Sequence, residues 1–516
     1  MTTATHTDDG RKWVSAIIVT VGIFMALLDT TIVNIALPKM MAALEADYYG
    51  IQMVVISYLL GSAISMAAVG WLGDRFGAKA IFLVGLGIFT GMSVLCGMAS
   101  SLTFMDTIRF CQGIGEGFII PTGLVILYET FPREEHGMAM GLYGLGASLA
   151  PALGPTIGGL ITEHLSWRWI FYVNLPICIV ATLAGWFILK RVKALEKPKV
   201  PFDGWGFILM AISLSALILF LSKGQEKGWL QSDYILTLML IFVITFIPFV
   251  AVQLRRKEPL LNMRLFSKRT FAIGVAVLAL FSFATYGLWL LLPIYLEKLR
   301  QYTTLTSGLI LFPGSLAGAL SILVAGILCD RWQPKAVLLI CLVGGALMSF
   351  DFHTGVDTPK SQIIWDYAKW IIFTGGVFVP ATVISLSALS AKHINMGSTI
   401  LNIVRLIFGC IGTGFSVSFF SNKTATFYTI LASKVNYSAP ATRGLIGEQI
   451  FLHGNALVGP ALQKFQAILQ GYISSYASSY ALEATFRMLG LVICVALIGA
   501  LFIKHRKASS SKVVIH

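Results

Sequence analysis

Charge is scarce in this chain of 516 residues: Asp, Glu, Lys and Arg make up 12%, against 56% hydrophobic residues, where an ordinary soluble domain carries about 25% charged residues. So little charge excludes a soluble globular protein. Catalytic signatures are missing too. No HExxH helix, GxSxG elbow or Walker phosphate loop occurs, and the run Gly113-Ile114-Gly115-Glu116-Gly117 lies inside an apolar stretch rather than after a strand. An enzyme is therefore not expected. The seven cysteines, Cys96, Cys111, Cys178, Cys329, Cys341, Cys410 and Cys494, fall in apolar runs without the paired spacings of a disulfide framework or a zinc site. They read as packing residues, and neither metal nor cofactor is expected.

What the chain has instead is long apolar runs. A membrane-crossing helix takes about 20 mostly apolar residues, and such runs lie near 13–37, 51–73, 80–99, 103–128, 137–161, 168–190, 205–223, 233–254, 270–294, 305–328, 336–353, 366–388, 397–421 and 484–503. Fourteen spans put both termini on one side of the bilayer. The first run holds an acid and continues to Pro38 without a small-residue cleavage site, so it reads as a span and not a removable signal. A net charge of +14 would suggest nucleic acid in a soluble chain. Here it belongs to loops, because cytoplasmic loops carry the excess of Lys and Arg. The loops opposite the termini hold only Lys39, Arg168, Lys223, Lys227, Lys298, Arg300 and Lys360, which places the termini in the cytoplasm of a plasma-membrane protein. The segment from Asn422 to Glu483 then lies outside. Its mixture of Tyr, Ser and apolar residues suggests short amphipathic helices on the membrane surface.

A repeat divides the chain. Gly70-Trp-Leu-Gly-Asp74-Arg75-Phe-Gly-Ala-Lys79 and Gly326-Ile-Leu-Cys-Asp330-Arg331-Trp-Gln-Pro-Lys335 share the frame GxxxDRxxxK at an offset of 330 − 74 = 256 residues. Two halves related by an axis along the membrane normal account for it. The expected organisation is an all-α polytopic membrane protein of two six-helix bundles, residues 1–190 and 270–516. Two additional spans with their linkers fill 191–269, and a long external loop fills 422–483.

Ionisable groups inside spans are expensive and therefore informative. Asp29 lies in mid-span, where a carboxylate costs about 2.5 to 3.5 kcal/mol on insertion scales, so it must face a cavity or a partner. It either exchanges a proton as the cavity opens to alternate sides or is a satisfied structural acid. Arg109 cannot deprotonate and is a fixed cation able to compete with a proton for a nearby acid. Gln112, Gly113 and Glu116 follow at three, four and seven residues and share its helix face. Glu116 is either a second titratable acid or the group that neutralises Arg109. The fifth span carries Gly146, Pro151, Gly154, Pro155, Gly158 and Gly159; such a helix packs closely and bends, and reads as a hinge or as plain packing. Asp74 and Arg75 either pair with Glu129 as a cytoplasmic latch, with Asp330 and Arg331 as the second copy, or form a solvated turn. Asp366 and Lys369 read as interfacial.

Taken in order, these segments resemble the major facilitator superfamily, specifically its fourteen-span drug:proton antiporter branch, the EmrB/QacA-like family. Leu28-Asp29-Thr30-Thr31-Ile32-Val33-Asn34-Ile35-Ala36-Leu37-Pro38 is similar to the first-helix signature, and the loop at Gly70–Lys79 to the family's GxxxDRxGRK motif, with Ala78 in place of a basic residue. Arg109 through Gly115 resembles the fourth-helix motif and Gly146 through Gly159 the fifth-helix antiporter motif. Trp167 through Phe171 with Asn174 and Pro176, and Pro259-Leu260-Leu261 before Leu265-Phe266, are further landmarks. The resemblance implies that Asp29 is the coupling acid and Arg109 its relay, while Glu116 departs from a pattern that has a small residue there. It also implies a substrate cavity including Asp29, Asn34, Gln112, Glu116, Asn402 and Arg405. The implied function is proton-coupled efflux of lipophilic or amphiphilic compounds, as in multidrug efflux and antibiotic resistance. The alternative is a dedicated exporter of one metabolite such as a siderophore or fatty acid. In a Gram-negative host it implies residence in the inner membrane with a periplasmic adaptor and an outer-membrane duct. Small molecules, protons and lipid are the expected partners, and nucleic acid is not.

Overall fold

Backbone groups surrounded by hydrocarbon must pair within their own segment, which winds each apolar run into a helix. The computed structural model describes residues 3–131, 136–189, 202–224, 226–256, 259–389, 393–434 and 458–503, and no strand occurs among them. The helices are α1 (Thr3–Ala43), α2 (Tyr48–Phe76), α3 (Ala78–Gly97), α4 (Leu102–Thr130), α5 (His136–His164), α6 (Trp169–Tyr172), α7 (Asn174–Ile188), α8 (Gly204–Lys223), α9 (Asp233–Arg255), α10 (Arg269–Ile294), α11 (Thr304–Arg331), α12 (Pro334–Phe350), α13 (Lys360–Gly375), α14 (Phe378–Ser387), α15 (Ile394–Lys434) and α16 (Val458–Leu501). Among the described residues twelve helical stretches are long and apolar enough to cross a membrane, α6 with α7 and α13 with α14 each counting as one. The short apolar α12 and the glycine-rich α5 occupy the two other positions where the sequence calls for a span.

Three expectations change in detail. The run at 168–190 is interrupted at Val173, and that at 366–388 at Gly376 and Val377, where consecutive glycines weaken the helix. The region after Asn422 does not form separate surface helices where it is described. Residues 422–434 prolong α15 and 458–483 belong to α16, since regular backbone pairing continues where the apolar character fades.

The packing repeats. In the first part of the chain α2 packs on α4, α3 on α4, α1 on α5, and α7 on both α1 and α3; in the second, α11 packs on α13, α12 on α13, α10 on α15, and α16 on both α10 and α12. Each neighbour pair of one set has its counterpart in the other. Two seams join the sets, α5 against α11 and α2 against α15, again as counterparts. Helices α8 and α9 lie against each other, with α8 on α2 and α15. Helix α9 is largely exposed through Leu236, Met239, Leu240, Ile244 and Ile247, an apolar face suited to lipid.

The repeated GxxxDRxxxK frame has a physical job at its last position. Lys79 Nζ donates to the carbonyls of Trp186 (2.7 Å) and Leu189 (2.6 Å) at the end of α7. Lys335 Nζ donates to those of Leu501 (2.8 Å) and Ile503 (2.7 Å) at the end of α16. A helix leaves its last carbonyls without partners, and an ammonium there also meets the negative end of the helix dipole. Each lysine thus fastens the last helix of its set to the loop that begins the third.

Candidate functional site

A carboxylate enclosed in apolar helices needs donors from several directions, and Asp29 of α1 has them. It is fully buried and forms an ion pair with Arg109 of α4, which is 1% exposed. Its other oxygen accepts from Asn174 Nδ2 of α7 (2.8 Å) and Gln112 Nε2 (3.2 Å). Arg109 in turn donates to Gln112 Oε1 (2.7 Å) and, through Nε, to the carbonyl of Val54 on α2 (3.2 Å). Its guanidinium lies 4.0 Å from the centre of the Tyr58 ring and 5.8 Å from that of Phe171, which suits a weakly hydrated planar cation. Tyr58 is held by donating its hydroxyl to Ala26 of α1 (3.1 Å).

A second layer fixes the amides. Ser93 Oγ of α3 accepts from Gln112 (2.8 Å) and Asn174 (3.2 Å), and Cys96 Sγ donates to Gln112 Oε1 (3.4 Å). Six helices, α1, α2, α3, α4, α6 and α7, therefore meet at one charge pair. The arrangement depends on close approach of α2 and α4: a Cβ at Gly113 would collide with the carbonyl of Tyr58, so a larger residue would push Tyr58 off the guanidinium. Asn174, Ser93, Tyr58 and Cys96 were not singled out as site residues by sequence. Neutral polar side chains carry no insertion penalty large enough to flag them, although Asn174 stands among the family landmarks.

Glu116 is buried, two turns along α4 from Arg109, and its Oε2 has no hydrogen-bond partner. It does not neutralise Arg109, whose ion pair is with Asp29. Arg405 of α15 and, more weakly, Arg109 lie within electrostatic range of it. Asn402 Nδ2 donates to the Ser398 carbonyl one turn earlier (3.1 Å), and Asn34 is buried with Oδ1 unpartnered. Asp366 is buried within the protein and accepts from the exposed His353 Nδ1 (3.0 Å) and Lys369 Nζ (3.4 Å).

Arg75, one of the expected latch residues, lies among aromatic rings. The Arg75 guanidinium sits 5.2 Å from the Trp71 ring centre and 5.8 Å from that of Phe76, and Trp71 packs on Phe202 before α8 at 4.8 Å. Asp74 is exposed and has a partner of its own. Glu129 is exposed at the end of α4, its carboxyl pushed up by partial burial, and among the described residues no ion pair joins it to Arg75. Arg331 is exposed, and the side chain of Asp330 lies outside the described residues.

Helix α5 runs unbroken through Pro151 and Pro155, the side chain of Pro151 being outside the described set. Gly146 lies against Thr20, Gly154 against Thr31 and Gly158 against Ile32 and Ile35, all on α1. Pro155 and Gly159 face α11, where a Cβ at Gly308 would strike the Pro155 carbonyl. This contact lies at the end of the bundle opposite the Asp74 loop. The other seam is closed toward the same end, with Tyr48 against Phe420 at 5.8 Å and Gln52 Nε2 donating to Ser222 of α8 (3.2 Å). Toward the Asp74 loop, Gly70 and Gly73 of α2 and Gly326 of α11 face open space.

Comparison with known proteins agrees with this architecture. The profile of the Major Facilitator Superfamily matches residues 19–417. The multidrug export protein EmrB of Haemophilus influenzae is 30% identical over 430 residues, 81% of this chain and 82% of that protein. The riboflavin transporter RibZ of Clostridioides difficile is 30% identical over 452 residues, 85% of this chain and 96% of that protein. A bacterial homologue of the human lysosomal transporter Spinster, solved in an inward-facing and unoccupied conformation, has the same fold with a TM-score of 0.62 at 16% identity, covering 96% of this chain and 99% of that one. With matched helices, paired seams and relatives of this length, the chain belongs to the Major Facilitator Superfamily, as an integral membrane transporter akin to the EmrB export proteins.

Proposed function

We propose that this transporter exports lipophilic or amphiphilic compounds in exchange for protons, by alternating access between a bundle at 1–190 and one at 270–516, with α8 and α9 as an inserted pair. The observation that carries the reading is the Asp29–Arg109 ion pair, enclosed by Gln112, Asn174 and Tyr58. Arg109 cannot lose its proton, whereas Asp29 can gain one. Protonation of Asp29 cancels the attraction that holds the pair, frees the guanidinium and removes a reason for α1 and α4 to stay in this arrangement. The loss of that proton to the other side restores it. All fourteen helical segments are taken as spans, with the basic end and both termini in the cytoplasm; the open glycines Gly70, Gly73 and Gly326 then mark the cytoplasmic mouth of an inward-facing state.

The driving force is adequate. One charge crossing 100 mV supplies about 2.3 kcal/mol, and one pH unit adds about 1.4 kcal/mol, so one proton sustains a gradient of a few hundredfold. Substrate-induced proton movement in proteoliposomes tests the reading: Asp29→Asn and Arg109→Ala abolish it, and antiport at the wild-type rate in either variant defeats it. A dedicated exporter is the second reading, favoured by a relative whose name is that of a riboflavin transporter. Competition by chemically unrelated amphiphiles separates the two. In a Gram-negative envelope, an adaptor and duct would complete the route outward.

A further inference from the structure

Two opposite charges on different helix sets lie within electrostatic range of each other without forming an ion pair among the described residues. Glu116, on α4, is 2% exposed and keeps Oε2 unpartnered. Arg405, on α15, is near enough for its charge to act on both Glu116 and Tyr286, yet among the described residues no ion pair joins it to Glu116. The Arg405 Nε is buried and has no hydrogen-bond partner, while its guanidinium rests 5.1 Å from the Phe378 ring centre. Tyr286 lies over Gly409, one turn beyond Arg405, where a Cβ would sit 3.0 Å from the ring. Asp29 of α1 is no substitute partner for Arg405, since it is already paired with Arg109.

A buried charge without a close counter-charge is costly, and leaving out either partner leaves the other poorly compensated. A cationic ligand would answer Glu116 and leave Arg405 bare; an anionic ligand would do the reverse. A ligand bearing both signs answers both and brings no net charge into the low-dielectric interior. We propose that the central site is built for zwitterionic amphiphiles, with Arg405 holding the anionic group, Glu116 the cationic group, and Tyr286 and Phe378 forming an aromatic wall for the apolar part. This rests on the export reading above and gives it a substrate class.

Three fluorescent probes that differ only in charge test it on the purified transporter in lipid nanodiscs. Nε-dansyl-lysine carries an ammonium and a carboxylate, dansylcadaverine lacks the carboxylate, and dansylaminohexanoate lacks the ammonium. The zwitterion binds about tenfold tighter or more than either relative. Glu116→Gln removes its advantage over dansylaminohexanoate, and Arg405→Gln removes its advantage over dansylcadaverine, each variant first passing a check of monodispersity and helical content. Should Arg405→Gln misfold, Arg405→Lys serves, retaining preference for the zwitterion but with a smaller margin. Equal affinities, absence of binding by all three, or an undiminished preference in the folded variants overturns the proposal. Proton movement driven by any amphiphile is measured separately: its absence with the probe preference intact defeats proton-coupled export and leaves the charge pair as the ligand site, and its presence without the preference does the opposite.

Discussion

Replacing Asp29 by Asn should destabilise this protein more than replacing Arg109 by Ala, although the first change is smaller. The carboxylate accepts from Arg109, Gln112 and Asn174. Hydrogen bonds to a charged group contribute about 1.5 to 3 kcal/mol and neutral ones about 0.5 to 1.5, so neutralising the acceptor costs on the order of 1 kcal/mol at each of three donors. The new amide also directs its own donors at a site filled with donors. The total, about 3 kcal/mol or more, agrees with the roughly 3 to 5 kcal/mol for removing one member of a buried pair. In Asp29→Asn the stranded group is an arginine that cannot neutralise itself; in Arg109→Ala it is an acid that can take up a proton. Thermal unfolding in one detergent, followed by helical signal, should therefore rank wild type above Arg109→Ala and Arg109→Ala above Asp29→Asn. The double variant Asp29→Asn with Arg109→Met should recover part of the loss, since a buried pair replaced by neutral groups is often tolerated. Wild-type stability in Asp29→Asn, or a reversed order of the single variants, would refute the view that this pair is a tightly satisfied, energetically coupled unit.

Two further expectations concern neighbouring devices. Lys79→Met and Lys335→Met each release two helix-end carbonyls, so each should cost about 1 kcal/mol, and because the sites lie in different helix sets the losses should add; a change confined to one lysine would break the equivalence of the two caps. Asn174→Leu removes a donor to Asp29 and a ligand of Ser93, and should slow substrate-driven proton movement in proteoliposomes while leaving the protein folded; unaltered coupling would reduce Asn174 to a packing residue.

The helices were legible because hydrocarbon admits few alternatives to them, and the repeat marked the two sets through Asp74, Arg75 and Lys79 against Asp330, Arg331 and Lys335. Their use was less legible. The lysines act locally on helix ends, whereas Arg75 stacks on Trp71. Asp29 and Arg109 stood out from the cost of charge in a span, but their meeting is a contact between residues 80 apart, which no local periodicity encodes. Glu116 shows the limit of face arguments. Seven residues return a helix to nearly the same face but carry it about 10.5 Å along the axis, enough to leave the Asp29 pair and come under Arg405. Asp366 reads as interfacial because its helix begins at Lys360, but its pairing with the exposed His353 and Lys369 is a contact that spacing alone does not give.

The paired seams allow a last inference about motion to be tested at a glycine. At the end opposite the Asp74 loop, α5 and α11 touch so closely that Gly308 has no room for a Cβ against the Pro155 carbonyl, while Gly159 lies against the backbone of Thr304 and Leu305. Backbone on both sides leaves no flexible side chain to yield. Gly308→Val should therefore oppose closure of this seam, and overpacking of a well-fitted contact costs about 1 to 3 kcal/mol, equivalent to roughly a 5- to 150-fold shift between two conformations. Gly70 and Gly326 face open space at the other end, so a cysteine at either reports on that mouth. The described native cysteines are buried or half-buried, which keeps their background labelling low. In membranes, Gly70→Cys should react quickly with a polar thiol reagent supplied from its own side and slowly once Gly308→Val is added, because a transporter that cannot shut one end spends less time open at the other. Equal labelling with and without Gly308→Val, in protein shown to be folded, would mean that the two ends do not move as one, and the alternating scheme would fail for this chain.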